Sequence, residues 1–324
     1  VMEFFADLTL LIDSTFRTAT PLVLAGLAGL VAERSGIVDI GLEGKMLAAA
    51  FAAAAAAAVS GNPWVGMVAG VLASMFLALI HGYVSIAQRG NQIVSGMAIN
   101  IAVAGLAPTL ANFWFHQGGQ TPLLGDEARF SAITLPFAER LSDVPVLGQL
   151  YTEIISGHNL VTYLTVLIIP AVAWMVYRTS FGLRLRAVGE NPEAVDTAGI
   201  SVTKLRYQAV LIGGLLCGLS GVVLSTGMGA AFIRDMSAGK GYLALAAMIF
   251  GRWKPVPTLL ACLLFGFVDA LQGRLQGENL PLIGEIPVQF TIMLPYVLTV
   301  IILAGFAGKM DAPKASGIPY EKDH

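Results

Sequence analysis

The chain has 324 residues, 56% of them hydrophobic and 12% charged, with a formal net charge of −2 and a mean hydropathy of +0.74. A soluble domain carries roughly 25% charged residues, so a water-soluble globule is excluded, and no basic face suited to nucleic acid is present. Cys217 and Cys262 both fall inside apolar runs, which favours packing roles over a disulfide framework.

The chain opens on an acidic stretch, VMEFFADLTLLIDSTF, with no basic region ahead of its apolar residues, unlike a cleaved signal peptide. Apolar runs of bilayer-spanning length follow near residues 8–32, 46–60, 64–87, 92–114, 158–177, 207–228, 240–252, 257–275 and 289–307, about nine in all. In the first run Asp13 and Arg17 stand one helical turn apart, as a couple that neutralises itself near an interface. Two later runs are short and interrupted by glycine. One leads from Gly36, Gly41 and Gly44 into the alanine run Ala48–Ala58, the other from Gly239-Lys240-Gly241 into Tyr242–Gly251. Such paired segments mark a transporter's substrate path, with misplaced boundaries as the competing reading. They enter from opposite faces, so spans one to four are expected to recur, inverted, as spans six to nine, with the fifth as connector.

Small residues along the spans, among them Gly26, Gly29, Gly66, Gly70, Gly213, Gly214, Gly218 and Gly221, let helix backbones approach closely in lipid. The fold class expected is therefore all-α: a polytopic transmembrane bundle with an inverted-repeat core and short broken helices. At the start of the fourth run stand Asn91, Gln92, Ser95 and Asn100, the last three on one helical face. Amides and hydroxyls bind an uncharged polar solute without forcing charge into lipid; capping by Asn91 and interhelical bonding by Asn100 are the structural alternatives. His81 lies in the third run. Asp269, deep in the eighth, either pairs with Arg274 or a neighbouring helix or lies on a solute pathway.

Basic residues set the orientation. Arg34, Lys45, Arg89, the 178–206 loop, Arg252, Lys254 and the tail lysines Lys309, Lys314 and Lys322 share one side if the spans alternate. That side is the cytoplasm, with the N-terminus outside and the C-terminus inside. The opposite loop, 115–157, holds Asp126, Glu127, Glu139, Asp143 and Glu153 against Arg129 and Arg140.

The 178–206 loop is the one sizeable basic loop. Inside it Asn191-Pro192 followed by Glu193–Thr197 spells a short helix with proline in its first turn, closed by Gly199. Either this helix is presented to a partner or the loop only orients the protein. Catalytic signatures are missing: no phosphate-binding loop, no metal-ligand spacing among His81, His116, His158 and His324, and no nucleophile elbow occurs in the sequence.

Together GIVDIGLEGKMLAAA (36–50), GNQIVSGMAIN (90–100), LRAVGENPEAVDTAGISVTKLR (185–206) and GKGYLALAAMIFGRWKP (239–255) resemble the permease subunits of bacterial ABC importers, in the family shared by ribose and branched-chain amino acid systems. The likeness spans roughly residues 18–308. Its most specific part is the pattern formed by Gly189, Asn191, Ala194, Gly199, Ile200, Val202, Lys204 and Arg206, and the strings at 41–46 and 244–255 resemble the nucleoside or simple-sugar branch. Many relatives begin with one more span, and many carry glutamine where Lys45 stands.

The resemblance implies a single permease domain (1–310) with an extracytoplasmic loop (115–157), a cytoplasmic coupling loop (178–206) and a cytoplasmic tail (311–324). It implies a coupling helix seated in an ATPase, carried by Gly189, Glu190, Asn191, Pro192, Glu193, Ala194, Asp196, Ala198 and Gly199. It implies a multi-pass protein of the bacterial inner membrane that is not itself an enzyme, with ATP and magnesium bound by a separate cytoplasmic ATPase subunit. A second permease, identical or different, and a periplasmic or lipid-anchored binding protein complete the assembly. Glu43, Gln92, Ser95, Asn100 and Asp269 are the expected pathway residues, and a nucleoside or simple sugar is the expected cargo. A branched-chain amino acid would need charged partners, and the pathway is poor in charge. An ion-coupled secondary transporter would need a chain of acids or histidines that is not found. The broken spans argue against an inert scaffold.

Overall fold

A computed structural model describes residues 2–136, 148, 150–276, 279–280, 284–285, 287–305 and 312–321. Glu139, Arg140, Asp143, Lys309 and Lys322, all used above to set orientation, lie outside the described residues. Eleven α-helices are described: α1 (Met2–Glu33), α2 (Leu42–Ser60), α3 (Pro63–Gly82), α4 (Gln92–Phe115), α5 (Leu160–Arg178), α6 (Ser180–Glu190), α7 (Pro192–Thr197), α8 (Val202–Val222), α9 (Lys240–Phe250), α10 (Pro255–Leu275) and α11 (Val288–Gly305). Among the described residues, seven helical stretches are long and apolar enough to cross a membrane, and Lys240–Phe250 and Gln289–Ile301 are shorter apolar pieces. Those nine coincide with the nine runs expected from sequence.

Helix ends follow local chemistry. Asn91 accepts hydrogen bonds from the Ile93 and Val94 N–H groups at 2.9 and 3.1 Å and so starts α4, as the capping alternative required. Asn62, with Pro63 behind it, does the same for α3. Gly61, at φ +65°, stops α2. The alanine run is only part of its helix. α2 begins at Leu42, four residues ahead of the expected boundary, and its 19 residues make a full span. Of the two glycine-interrupted segments, only α9, with 11 residues, is short.

Buried and exposed faces invert the habit of soluble proteins. α1 and α8 form the centre, with 78% and 83% of their apolar windows buried, whereas α3 is 22% buried. Phe76, Phe113, Val166, Leu167 and Val300 point outward, where hydrocarbon would solvate them. α1 and α8 pack on each other; α1 lies along α10 as α8 lies along α3, and α2 leans on α3 as α9 leans on α10. Exchanging α1 with α8, α2 with α9 and α3 with α10 maps each of these contacts onto another. α1 ends beside the face that carries α7, and α8 starts there, so the two halves run in opposite directions. This is the inverted repeat. It lapses at α4, which packs along α2, whereas α11 packs on α10.

The two equivalent helix pairs share one chemistry. Ser74 Oγ donates to the Gly214 carbonyl at 2.7 Å, and Thr18 Oγ1 donates to the Gly266 carbonyl at 2.8 Å. Each glycine admits close backbone approach, since a Cβ at either would meet a neighbouring Cβ at 2.7 Å. Gly221, facing α2, is tighter: a Cβ there would lie 2.3 Å from the Met46 carbonyl oxygen.

Gly221→Val is therefore expected to destabilise the bundle by about 1–3 kcal/mol or more, read as a lower melting temperature in detergent. Gly105→Ala, on an open face of α4 with nothing near its Cβ, should leave the melting temperature unchanged or slightly raised.

Candidate functional site

Between α1 and α2 the chain runs non-helically through residues 34–41 inside the bundle. Non-helical backbone at membrane depth survives only where protein satisfies its polar groups, and α4 with α3 does this. The Val38 N–H donates to Gln92 Oε1 at 2.6 Å, while His81 Nε2 lies 3.0 Å from the Val38 carbonyl and its Nδ1 lies 3.0 Å from Ser95 Oγ. Asn100 accepts from the Gly44 N–H at 2.8 Å and donates to the Ile40 carbonyl at 3.0 Å and to Tyr242 Oη at 2.9 Å. The polar face read along α4 is thus a rail for the re-entrant segment. Gln92 and Ser95 are spent on it and do not line the pocket described below. Asp39 and Lys45 close the segment with an ion pair between two fully buried side chains.

The N-termini of α2 and α9 meet end to end. Glu43, in the first turn of α2, accepts from the Gly239 N–H at 2.9 Å and the Gly241 N–H at 2.6 Å. A carboxylate on the open N–H groups of a helix start makes strong charge-assisted bonds and meets the positive end of the macrodipole. Gly241 is required for the approach, because a Cβ there would lie 2.5 Å from the Glu43 backbone nitrogen. α2 then runs toward the face opposite α7. α9 runs the other way, to Trp253, whose indole donates to Glu33 and whose carbonyl accepts from Arg34. The chain ahead of α9 comes from the face opposite α7, knitted by the Leu124 N–H to the Ala230 carbonyl at 2.7 Å and the Phe232 N–H to Thr121 Oγ1 at 2.8 Å. The two broken segments therefore enter from opposite faces.

A cavity of about 320 Å³ opens beside this junction, lined by Glu43, Gly44, Leu47, Asn100, Ile101, Ala104, Asp235, Ser237, Ala238, Gly239 and Tyr242. It unites Glu43 and Asn100 of the expected pathway set. Asp269 lies outside the cavity and pairs with Lys240 of the neighbouring α9 at 3.0 Å, the neighbouring-helix alternative, and not with Arg274. Asp235, Ser237 and Tyr242 were missed from sequence, because nothing in their spacing announces that the chain bends them back to α4. Asp13 and Arg17 pair at 3.0 Å as expected, and His158 Nδ1 joins them at 3.7 Å.

At the opposite end, α6 and α7 form an exposed platform. Asn191 Oδ1 accepts from the Ala194 N–H at 3.0 Å and starts α7, and Gly199 follows it at φ +78°. Glu190, Asn191, Glu193, Ala194, Ala198 and Gly199 are exposed, with Pro192 and Asp196 partly so. Gly189 is not part of that surface. It is buried beneath it, and a Cβ there would meet the Arg34 carbonyl oxygen at 2.3 Å. The C-terminal tail straps this platform down. The Ala315 N–H donates to Gly189, the Gly317 N–H to Gly36, and the buried Arg206 guanidinium to the carbonyls of Ser35 and Ile318.

A two-sided bundle with a re-entrant centre and an exposed helix fixed to one face defines the class: a polytopic membrane permease. The chain belongs to the family described as "Branched-chain amino acid transport system / permease component", whose model matches residues 11–303. It is similar to NupQ, the guanosine ABC transporter permease protein of Bacillus subtilis, at 37% identity over 99% of both chains. It is 36% identical to NupC, the nucleoside ABC transporter permease protein of Lactococcus lactis, again over 99% of both. TsgC13 of Haloferax volcanii, provisionally named a glucose ABC transporter permease, is 35% identical over 89% of this chain and 87% of its own. The chain is thus an ABC transporter permease of this family, a transport component embedded in the membrane.

Leaving one partner of a buried ion pair alone costs about 3–5 kcal/mol. Asp39→Asn and Lys45→Gln are each expected to lower the melting temperature sharply, and the double variant to recover most of the loss; additive losses would remove the pair from its structural role.

Proposed function

We propose that this permease moves a nucleoside across the inner membrane by alternating access, driven by ATP bound and hydrolysed, with magnesium, on a separate ATPase subunit. The α6–α7 platform carries the mechanical half of the reading. α7 is exposed, while α6 beneath it is bound through Gly189 to the end of α1 and to the tail. A push on α7 therefore reaches the re-entrant segment as a rigid displacement. Glu190, Asn191, Pro192, Glu193, Ala194, Asp196, Ala198 and Gly199 form the coupling surface, with Gly189 as its anchor. Beside it Leu183, Ala187, Val195 and Ile200 line a groove of about 440 Å³ that suits a partner's apolar side chains. This face is cytoplasmic in our reading, which places the tail inside, the N-terminus outside and loop 115–157 toward a binding protein.

The cargo follows from two full-length relatives named for guanosine and nucleoside transport. A simple sugar is the second reading, favoured by TsgC13. A branched-chain amino acid fits poorly, because no lysine or arginine lines the cavity to meet its carboxylate. Glu43 and Asn100 lie on the pathway; Gln92, Ser95 and Asp269 support it from outside. A second permease, identical or different, covers the cavity's open side, since its carboxylates are costly against lipid.

Proteoliposomes holding the permeases with ATPase and binding protein should accumulate guanosine only when ATP is present; accumulation without the ATPase subunit would overturn the reading. Ala194→Trp is expected to insert normally yet lose at least tenfold in uptake, with ATPase activity no longer stimulated by the binding protein. Normal uptake by that variant would remove α7 from coupling.

A further inference from the structure

We propose that the cavity beside Glu43 is a specificity site for the cargo, in which Tyr242 and Asp235 select an uncharged, donor-rich ring compound of nucleoside type. This rests on the transport reading above and adds a recognition step within the permease itself. The cavity lies at the meeting point of the two broken helices, and its volume of about 320 Å³ falls in the range of about 300–1,000 Å³ found for small-molecule sites.

Its chemistry is weighted toward hydrogen-bond acceptors. Tyr242 Oη accepts from Asn100 Nδ2 at 2.9 Å, which fixes the phenol and leaves its own proton for a ligand. The residue is 41% exposed, so the ring offers a face for stacking beside the cavity. The Asp235 carboxylate is exposed and has no ion-pair or side-chain hydrogen-bond partner among the described residues. Glu43 adds two more acceptor oxygens, each holding one backbone N–H. A carboxylate only accepts. Such a cavity favours ring N–H groups and ribose hydroxyls, and it repels phosphate and carboxylate groups.

The backbone geometry is consistent with the assignment. Asp235 and Ala238 both adopt left-handed conformations, at φ 54° and 46°, within the segment that lines the cavity. Strain of this kind at non-glycine residues persists where the surroundings over-determine it, and it concentrates at ligand sites. Both residues lie in the turn closed by the Ala238 N–H on the Asp235 carbonyl and the Lys240 N–H on the Ser237 carbonyl, which presents the exposed Asp235 side chain at the cavity.

The test uses the complete permease–ATPase complex in nanodiscs without binding protein, titrated with guanosine by calorimetry. Wild type should bind guanosine and not guanosine 5′-monophosphate. Asp235→Asn and Tyr242→Ala should each weaken guanosine binding roughly tenfold, the loss expected for a hydrogen bond to a charged group or a stacked ring. Tyr242→Phe keeps the ring and should lose less, and Asp235→Asn should gain measurable binding of the monophosphate. Asp235 is exposed, so its variant folds and decides the matter if Tyr242→Ala does not. No guanosine binding by wild type, or equal binding by Asp235→Asn, overturns this site. Guanosine uptake by the complete wild-type transporter, measured alongside, reports on the transport reading separately.

Discussion

Backbone polar groups at membrane depth have no water to turn to, and between residues 38 and 44 the Val38 and Gly44 N–H groups and the Val38 and Ile40 carbonyls find their partners on α3 and α4. Much of the molecule is arranged around that constraint. Gln92, Asn100 and His81 reach the segment from α4 and α3, with Ser95 holding the His81 ring. Asp39 and Lys45 bridge the segment to α2. Because a buried pair is costly to break on one side, the start of α2 is held at one depth. That placement in turn sets where Glu43 can reach the start of α9.

The inverted repeat supplies the second half of the junction. Two helix starts, approaching from opposite faces, present their open N–H groups to one another, an arrangement that is unfavourable without an anion between them. Glu43 fills that place for α9, glycine at 241 lets the backbones close, and Gly239 takes the left-handed turn, at φ +80°, that starts the helix. The symmetry then lapses at α4, and the cavity opens where it lapses.

The α7 face and the re-entrant segment are one mechanical unit. Gly189 packs on Arg34, the tail ties Gly189 to Gly36, and Arg206 holds Ser35 and Ile318 at once. The residues that end the Gly189–Arg206 pattern are thus internal fasteners and not part of the exposed surface. Glycine at 189 serves backbone proximity, which accounts for a buried position at the start of this pattern.

Hydropathy, charge asymmetry and local capping chemistry sufficed, from the sequence by itself, for the number of apolar segments, the broken spans, the Asn191-capped α7 and the Asp13–Arg17 couple. Each depends on residues within one or two helical turns, or on a composition that lipid demands. The polar face of α4 was legible as a face, but its use was not. Gln92 and Ser95 serve the backbone of a segment more than fifty residues away, and which of its two expected partners Asp269 takes, Arg274 or a neighbouring helix, was settled only by Lys240 of α9. Only the tertiary structure decided the Asp39–Lys45 pair, the seat of Glu43 on α9, the burial of Gly189 and the gathering of Asp235 and Tyr242 around Asn100. Those depend on how the two halves interlock, and hydrogen bonds between distant backbones leave no periodicity in a sequence.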